Sequence, residues 1–301
     1  MAGTKAALVT GVSGHVAGAM AERLGAAGFE VRVLVRTAGQ AAAVRHGLVP
    51  VRGDLADAES LRRAVEGSTV VVHAAAYLGL DHRLAYEVNV EGTRRLAEAA
   101  LQAGADRFVN ISTMSVHGDP QPDGLSEDSP LAPDAMHPYV ATKASAELEI
   151  RLAQSRGLPA VILRPGAICS VSNSRWGDEL VRRLADGGWP AAWHPGDIIP
   201  WVHTSDLAEM TWLAATHPAA AGQTFLAVDR NVPLSDFVVP IIQALGSTVT
   251  PPDREPSVSR CRIGRIRDVL GYQPRQPFER TVQELVGLAL REPFRTATQT
   301  S

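Results

Sequence analysis

The chain has 301 residues, 45% hydrophobic and 20% charged, with 29 basic against 32 acidic side chains and a net charge of −3. That balance offers no basic field for nucleic acid or an anionic membrane surface, and no stretch approaches the ~20 apolar residues of a membrane span. Two cysteines, Cys169 and Cys261, give neither a disulfide framework nor metal spacing. With no leader-like start, a cytoplasmic protein is expected.

In chain order, short apolar runs alternate with helical patterns. Strands are expected at 5–10, 30–36, 49–53, 69–75, 107–112 and 160–165, rich in Val and Ile. Several are apolar throughout, as strands buried on both faces of a parallel sheet are. Helices are expected at 14–27, 38–46, 57–66, 84–103 and 139–156, with Gly28 and Gly104 as terminators. The alternation reads as a doubly wound parallel α/β sheet. Residues 118–138, dense in Pro and acids, read as a loop. After 165 the rhythm weakens. Helices are expected at 205–217, 234–245, 263–270 and 278–291, and a strand at 223–229. This divides the chain into a dinucleotide-binding domain over 1–165, to which 196–222 returns, and a smaller C-terminal lobe over 166–195 and 223–290. A flexible tail follows at 291–301.

The first strand runs into "TGVSGHVAG". Gly11 permits a tight turn, Gly14 lets the backbone approach a pyrophosphate, and Ala17 is small enough for helix–strand packing. The helix start then aims free N–H groups at phosphates. The cofactor-binding residues read from this turn are Gly11, Ser13, Gly14, His15 and Val16. No G-K-[ST] follows, so a P-loop is excluded. A dinucleotide site would place an acid at the end of the second strand to bind the ribose hydroxyls. The chain offers Arg36, followed by Thr37. A cation there suits the 2′-phosphate of NADP.

Only two of the 29 basic residues are lysines, Lys5 and Lys143, and Lys143 closes the stretch "YVATK" that Tyr139 opens. With four tyrosines, roughly 0.03 such Tyr-x-x-x-Lys pairs are expected by chance. At i and i+4 on a helix the two side chains share a face. The ammonium is expected to lower the phenol pKa and tune it for proton exchange with a substrate oxygen.

With "RGDL" (52–55), "VVHAAA" (71–76), "NVEGTRRLAEAA" (89–100), "RFVNISTMSVHG" (107–118), "LRPGAI" (163–168) and "VHTSDLAE" (202–209), the sequence resembles the extended branch of the short-chain dehydrogenase/reductase family, the NAD(P)-dependent epimerase/dehydratase type. The similarity runs from about 4 to 290 and implies a Rossmann fold with a smaller C-terminal substrate-binding lobe. It implies Tyr139 as general acid/base, with Lys143 on the nicotinamide ribose. Thr113, beside Ser112, would orient the substrate oxygen. Asp54 and Leu55 resemble the adenine-contacting pair, and Ala74, Ala75 and Ala76 the small turn beside the dinucleotide. Asn89 is structural or a proton relay. Arg164 and Pro165 begin the segment that approaches the nicotinamide, and Asp206 braces the lobes. A homodimer packed through 84–103 and 139–156 resembles the family habit.

Dehydratases of this family carry Asp-Glu after the catalytic Thr, where this chain has Met114 and Ser115. Neither can expel a hydroxyl by acid–base chemistry. The segment after Pro165, "GAICSVSNSRWGDE", departs from the epimerase pattern, although Arg175, Arg182 and Arg183 offer a phosphate site. The expectation is an NADPH-dependent reductase of a small-molecule ketone or aldehyde. A nucleotide-sugar epimerase or 4-ketoreductase, and a non-catalytic NADP sensor, are the alternatives. No metal is expected. Trp176, Trp189, Trp193 and Trp201 either line the substrate pocket or form the core of the lobe. His117 and His137 flank the catalytic loop, His203 lies beside Asp206, and His73 ends a buried strand.

Overall fold

The computed structural model describes residues 5–12, 14–42, 44–118, 121–172, 174–188, 193–247, 250 and 252–291. The first half alternates strand and helix. β1 (Ala6–Thr10) leads to α1 (His15–Ala26), β2 (Glu30–Val35) to α2 (Ala38–Ala42), and β3 (Val49–Arg52) to α3 (Ala58–Val65). β4 (Val70–His73) is followed by α4 (His82–Ala85), a π-helical stretch at Tyr86–Glu91 and α5 (Gly92–Gln102). β5 (Arg107–Ile111), α6 (Pro138–Ser155) and β6 (Ala160–Pro165) complete this half. Then come β7 (Ala167–Cys169), α7 (Asp178–Ala185), β8 (Ile198–His203), α8 (Thr204–Thr216), β9 (Thr224–Ala227), β10 (Arg230–Pro233), α9 (Leu234–Leu245), α10 (Arg265–Leu270) and α11 (Phe278–Ala289).

Seven parallel strands form the main sheet in the order β3-β2-β1-β4-β5-β6-β9. β1, β4, β5 and β6 are apolar runs because both faces are covered. β3 is the largely exposed edge, where Pro50 forfeits little. One face packs on α1, α8 and α10 through Met20, Leu24, Leu207, Met210, Ile266 and Leu270. The other packs on α3, α5 and α6 through Leu61, Leu96 and Ile150. The strand order reverses between β1 and β4, so the carboxyl ends of these two strands open a crevice at the switch point.

A second sheet, β10-β8-β7, builds the smaller lobe. Its core gathers Leu180, Trp201, Phe237, Ile241, Phe278 and Leu285 from α7, β8, α9 and α11. Two expected boundaries shift. β9, assigned to the lobe, is the seventh strand of the main sheet, and β8, assigned to the dinucleotide domain, is the centre of the small one. The helix expected at 84–103 is interrupted by the π-helical stretch. The helix expected at 38–46 is described only to Ala42, and of the expected tail only Arg291 is described.

Candidate active site

The glycine turn is held from behind. Gly11 has φ +83°, and a Cβ there would lie 2.7 Å from the Ala75 nitrogen. Only glycine lets the end of β1 pass that close to the loop after β4. The Thr10 hydroxyl accepts the N–H groups of Ala74 and Ala75, each at 3.2 Å. Gly14 caps α1 with its N–H on Gly11 O at 2.9 Å, and among the described residues no side chain hydrogen-bonds that end and no acid lies in the first turn. The α1 start thus suits an anion. Ala17 is buried in the core and Val16 packs against it. Ser13 and the His15 side chain lie outside the described residues.

The Arg36 and Thr37 N–H groups both reach Gln40 Oε1, at 2.8 and 3.3 Å, and Thr37 Oγ1 accepts the Gln40 N–H. This turn fixes the exposed Arg36 at the end of β2, and its guanidinium has no ion pair among the described residues. Asp54 spends Oδ1 on the Ala56 N–H at 3.0 Å, while Leu55 is buried beneath Gly92. Ala74 and Ala75 are half-buried and Ala76 is exposed. Pro165 is buried within β6, paired with Ala227.

α6 starts with Pro138 at its first position and His137 as cap, accepting the Tyr139 N–H at 3.2 Å. Its residues 139, 143 and 147 share one face, and three consecutive residues of the β5 end answer them. The Thr113 hydroxyl lies close enough to the Tyr139 phenol to pull its pKa down. Lys143 Nζ donates to Ile111 O at 2.9 Å. Ser112 Oγ donates to Glu147 Oε1 at 2.5 Å. Lys143, 2% exposed, is pushed by burial down to about 8, with Glu147 opposing that fall. The half-buried Tyr139 is pushed by burial up to about 12, against a downward pull from Thr113. This corrects the expectation of a phenol lowered by the ammonium: the pull comes instead from Thr113 and is outweighed by desolvation, while the described hydrogen bond of Lys143 goes to the Ile111 carbonyl.

Glu147 is the residue that sequence reasoning missed. It is fully buried and takes Arg164 in a forked pair, Nη2 to Oε2 at 2.6 Å and Nε to Oε1 at 2.9 Å. Arg164 Nη1 also donates to Glu127 O at 2.8 Å and meets His117 Nε2 at 3.2 Å. Arg164 and His117 thus face the interior, and Arg164 does not reach toward the crevice. The signal lay in "AVILRP", where an Arg in a buried strand demands a buried acid.

A second buried chain runs behind the turn. Thr93 Oγ1 donates to Asn89 O at 2.6 Å, so His73 Nε2 donates to Thr93 at 2.9 Å and Nδ1 accepts from Thr10 at 2.8 Å. Burial holds His73 neutral, down to about 3. Asn89, on the π-helical stretch, clamps Tyr77 through its N–H (2.7 Å) and C=O (3.0 Å), and reaches Thr142 on α6 at 3.0 Å. Asp206 accepts the N–H groups of Arg275 and Gln276, bracing α8 to the segment before α11. His203 caps α8. Trp201 is buried edge-on against Phe278, and Trp176 stacks on Trp193 at 4.6 Å. Trp201 belongs to the lobe core, the half-buried Trp176 and Trp193 pack against it, and Trp189 lies outside the described residues. Met114 is buried and Ser115 half-buried, so no carboxylate follows Thr113. No metal-holding group of His, Cys, Asp or Glu occurs among the described residues, and no described helix is long and apolar enough to cross a membrane.

A doubly wound sheet, a glycine turn feeding a helix start, and a Tyr–Lys pair beside the same crevice define a Rossmann-type dinucleotide enzyme. The profile of the NAD dependent epimerase/dehydratase family matches residues 7–227, and the chain belongs to that family, the extended short-chain dehydrogenases/reductases. It is 37% identical over 170 residues to sterol demethylase protein B of Methylococcus capsulatus, covering 54% of this chain and 51% of that protein. It is 30% identical over 244 residues to a 4-hydroxy-2-methyl-3-oxo-4-farnesyl-3,4-dihydroquinoline-1-oxide ketoreductase of Stigmatella aurantiaca, covering 79% and 72%. A dTDP-glucose 4,6-dehydratase from Streptomyces venezuelae with NAD bound superposes with a TM-score of 0.79 at 27% identity, over 94% and 96% of the two chains. The chain spans about half the length of several curated relatives it matches.

Proposed function

We propose that this chain is an NADPH-dependent reductase of a ketone or aldehyde in a small organic or natural-product substrate. The observation that carries the reading is Thr113 set close to the Tyr139 phenol, with a buried Met114 and a half-buried Ser115, not carboxylates, beside it. A phenol held near 12 stays protonated at neutral pH, which suits a proton donor to a carbonyl oxygen. Thr113 would hydrogen-bond that same oxygen and steady its developing charge. Lys143 keeps two N–H donors beyond its bond to Ile111, available for ribose hydroxyls. Gly11, Gly14 and the α1 start would seat the pyrophosphate, and Arg36, without an ion pair among the described residues, the 2′-phosphate. The reduced nicotinamide, when bound, supplies the hydride. The ketoreductase among the relatives supports this chemistry. We assign the crevice between the main sheet and the small lobe to the substrate, and place the protein in the cytosol with both cysteines reduced.

The test is oxidation of NADPH with a panel of ketones and aldehydes. Tyr139→Phe should lower kcat by about 10²–10⁴-fold while cofactor binding persists. Undiminished turnover in that variant, or tighter binding of NADH than NADPH, would overturn the corresponding assignment. A second reading, sugar-nucleotide chemistry, is favoured by one feature: a cleft of about 380 Å³ lined by Arg175, Arg182, Arg183 and Trp193. Arg182 already pairs with Asp178 there. Competition by UDP-sugars against the ketone would support that reading.

A further inference from the structure

Two segments tied by hydrogen bonds to the first turns of α6, the helix of Tyr139, carry large apolar side chains left in water. Leu78 is 70% exposed, Leu80 72% and Met136 94%, the three highest values among the described large apolar residues. The two segments come from different parts of the chain. Asn89 grips Tyr77 on both its N–H and C=O and holds Thr142, three residues from Tyr139. The Tyr77 ring folds back over Gly79, where a Cβ would lie 2.3 Å from its hydroxyl oxygen. The leucines on either side of Gly79 thus follow a residue whose N–H and C=O are both held, and they remain exposed. Met136 precedes His137, whose ring accepts the Tyr139 N–H, so its backbone is fixed relative to the phenol. α4 packs on α6 and adds the partly exposed Leu84. No Lys or Arg lies within 76–80 or 131–136, while 118–138 carries five acids, so this rim does not favour an anion.

Water-exposed apolar side chains fixed at the entrance to a reaction centre gain most when the reactant itself covers them. We propose that Leu78, Leu80 and Met136 form an apolar mouth to the Tyr139 site, and that the substrate carries its carbonyl on an alkyl chain of several carbons. The chain's methylenes cover these three side chains while the carbonyl oxygen reaches Tyr139 and Thr113. The alkyl chain rests on the reading of Tyr139 as proton donor; the apolar mouth itself is testable without it.

Two series separate these. In the first, kcat/KM with NADPH is measured for 2-ketones from four to twelve carbons. It should rise about two- to fourfold per added methylene until the mouth is covered. In the second, calorimetry measures binding of unreactive N-methylalkanamides of the same chain lengths, with no turnover needed. The dissociation constant should fall by a similar factor per methylene. Leu78→Ser with Leu80→Ser, and separately Met136→Ser, should flatten both slopes. Val239→Ser, at an exposed apolar residue of α9, should leave them steep. A flat amide series in the unmutated protein overturns the mouth, whatever the turnover. A steep amide series with no ketone reduced supports the mouth and overturns the reductase reading. Binding to phosphatidylcholine vesicles that disappears in the same variants, with a flat amide series, overturns the proposal in favour of a membrane contact.

Discussion

Glu147→Gln tests whether the buried pair beneath the site is the frame that sets it. The substitution is nearly isosteric and keeps one acceptor for Ser112. It removes the charge that two Arg164 nitrogens address at 2.6 and 2.9 Å, both side chains being wholly buried. Arg164 would then be a dry cation with neutral partners alone: the remaining amide oxygen, Glu127 O and His117. Breaking one side of a buried pair costs about 3–5 kcal/mol, a large part of a typical 5–15 kcal/mol of stability. Urea denaturation followed by far-UV circular dichroism reads that loss. Arg164→Met should cost a similar amount, and the double variant should cost less than the sum by about 2–3 kcal/mol, since neither charge is then stranded. A single-variant loss below about 1 kcal/mol, of the size seen for surface pairs, or strict additivity would refute the reasoning.

The same variant reports on Lys143 by a route that lost packing would not move. Glu147 is the group that opposes the desolvation of Lys143, whose ammonium sits at about 8. The charged groups facing that ammonium are Glu147 and, behind it, Arg164; His73 and Tyr139 are neutral at pH 7. Neutralising Glu147 unmasks Arg164, so Lys143 should lose its proton at lower pH. If protonated Lys143 holds the ribose, the alkaline limb of kcat/KM, set near 8 in the parent, moves to lower pH in Glu147→Gln. An unmoved limb would separate Glu147 from the site electrostatically.

Two further outcomes follow from the buried turn. Gly11→Ala sets a Cβ 2.7 Å from the Ala75 nitrogen at φ +83°; it should lower stability by about 1–3 kcal/mol, measured by denaturant midpoint, and weaken NADPH binding in a fluorescence titration. His73, at about 3 when folded against 6.5 ordinarily, leaves the unfolded chain binding the extra proton between those values. Its stabilising contribution is therefore complete above about pH 6.5 and falls with pH by at most about 1.4 kcal/mol per unit. His73→Gln should shrink the stability difference between pH 7 and pH 5 by about 2 kcal/mol, and an unchanged difference would show that His73 does not stay neutral.

The sequence made some of this legible for definite reasons. β1, β4, β5 and β6 are covered on both faces, so burial writes an uninterrupted apolar run into each. β7, β8 and β10 leave no such mark. They are three to six residues long, β8 carries Pro200, and β10 is defined by antiparallel pairing with a strand some thirty residues away. The Tyr139–Lys143 pair was legible because a fixed helical spacing joins two rare residue types. Its environment was not, because desolvation depends on what closes over the helix. Glu147 lies one further turn along the same face and reads in sequence as an ordinary surface charge.

The tryptophans show how that limit bears on specificity. A cluster of indoles near the C-terminal lobe is chemically suited either to a ligand or to a core, and composition alone gives both equal standing. Packing decides for Trp201, which is buried against Phe278; Trp176 and Trp193 stack on each other but stay half-buried, and Trp193 lines the arginine cleft. Apolar surface that the fold has already covered cannot select a substrate, because no further area leaves water when the substrate arrives. On the proposal of an apolar mouth, the selecting surface is apolar and exposed, as Leu78, Leu80 and Met136 are, in segments tied to α6 through Tyr77 and His137. Substrate preference in this chain should therefore follow the loop that Asn89 clamps, and exchanging that loop should change chain-length selectivity while leaving the Tyr139–Thr113 pair in place.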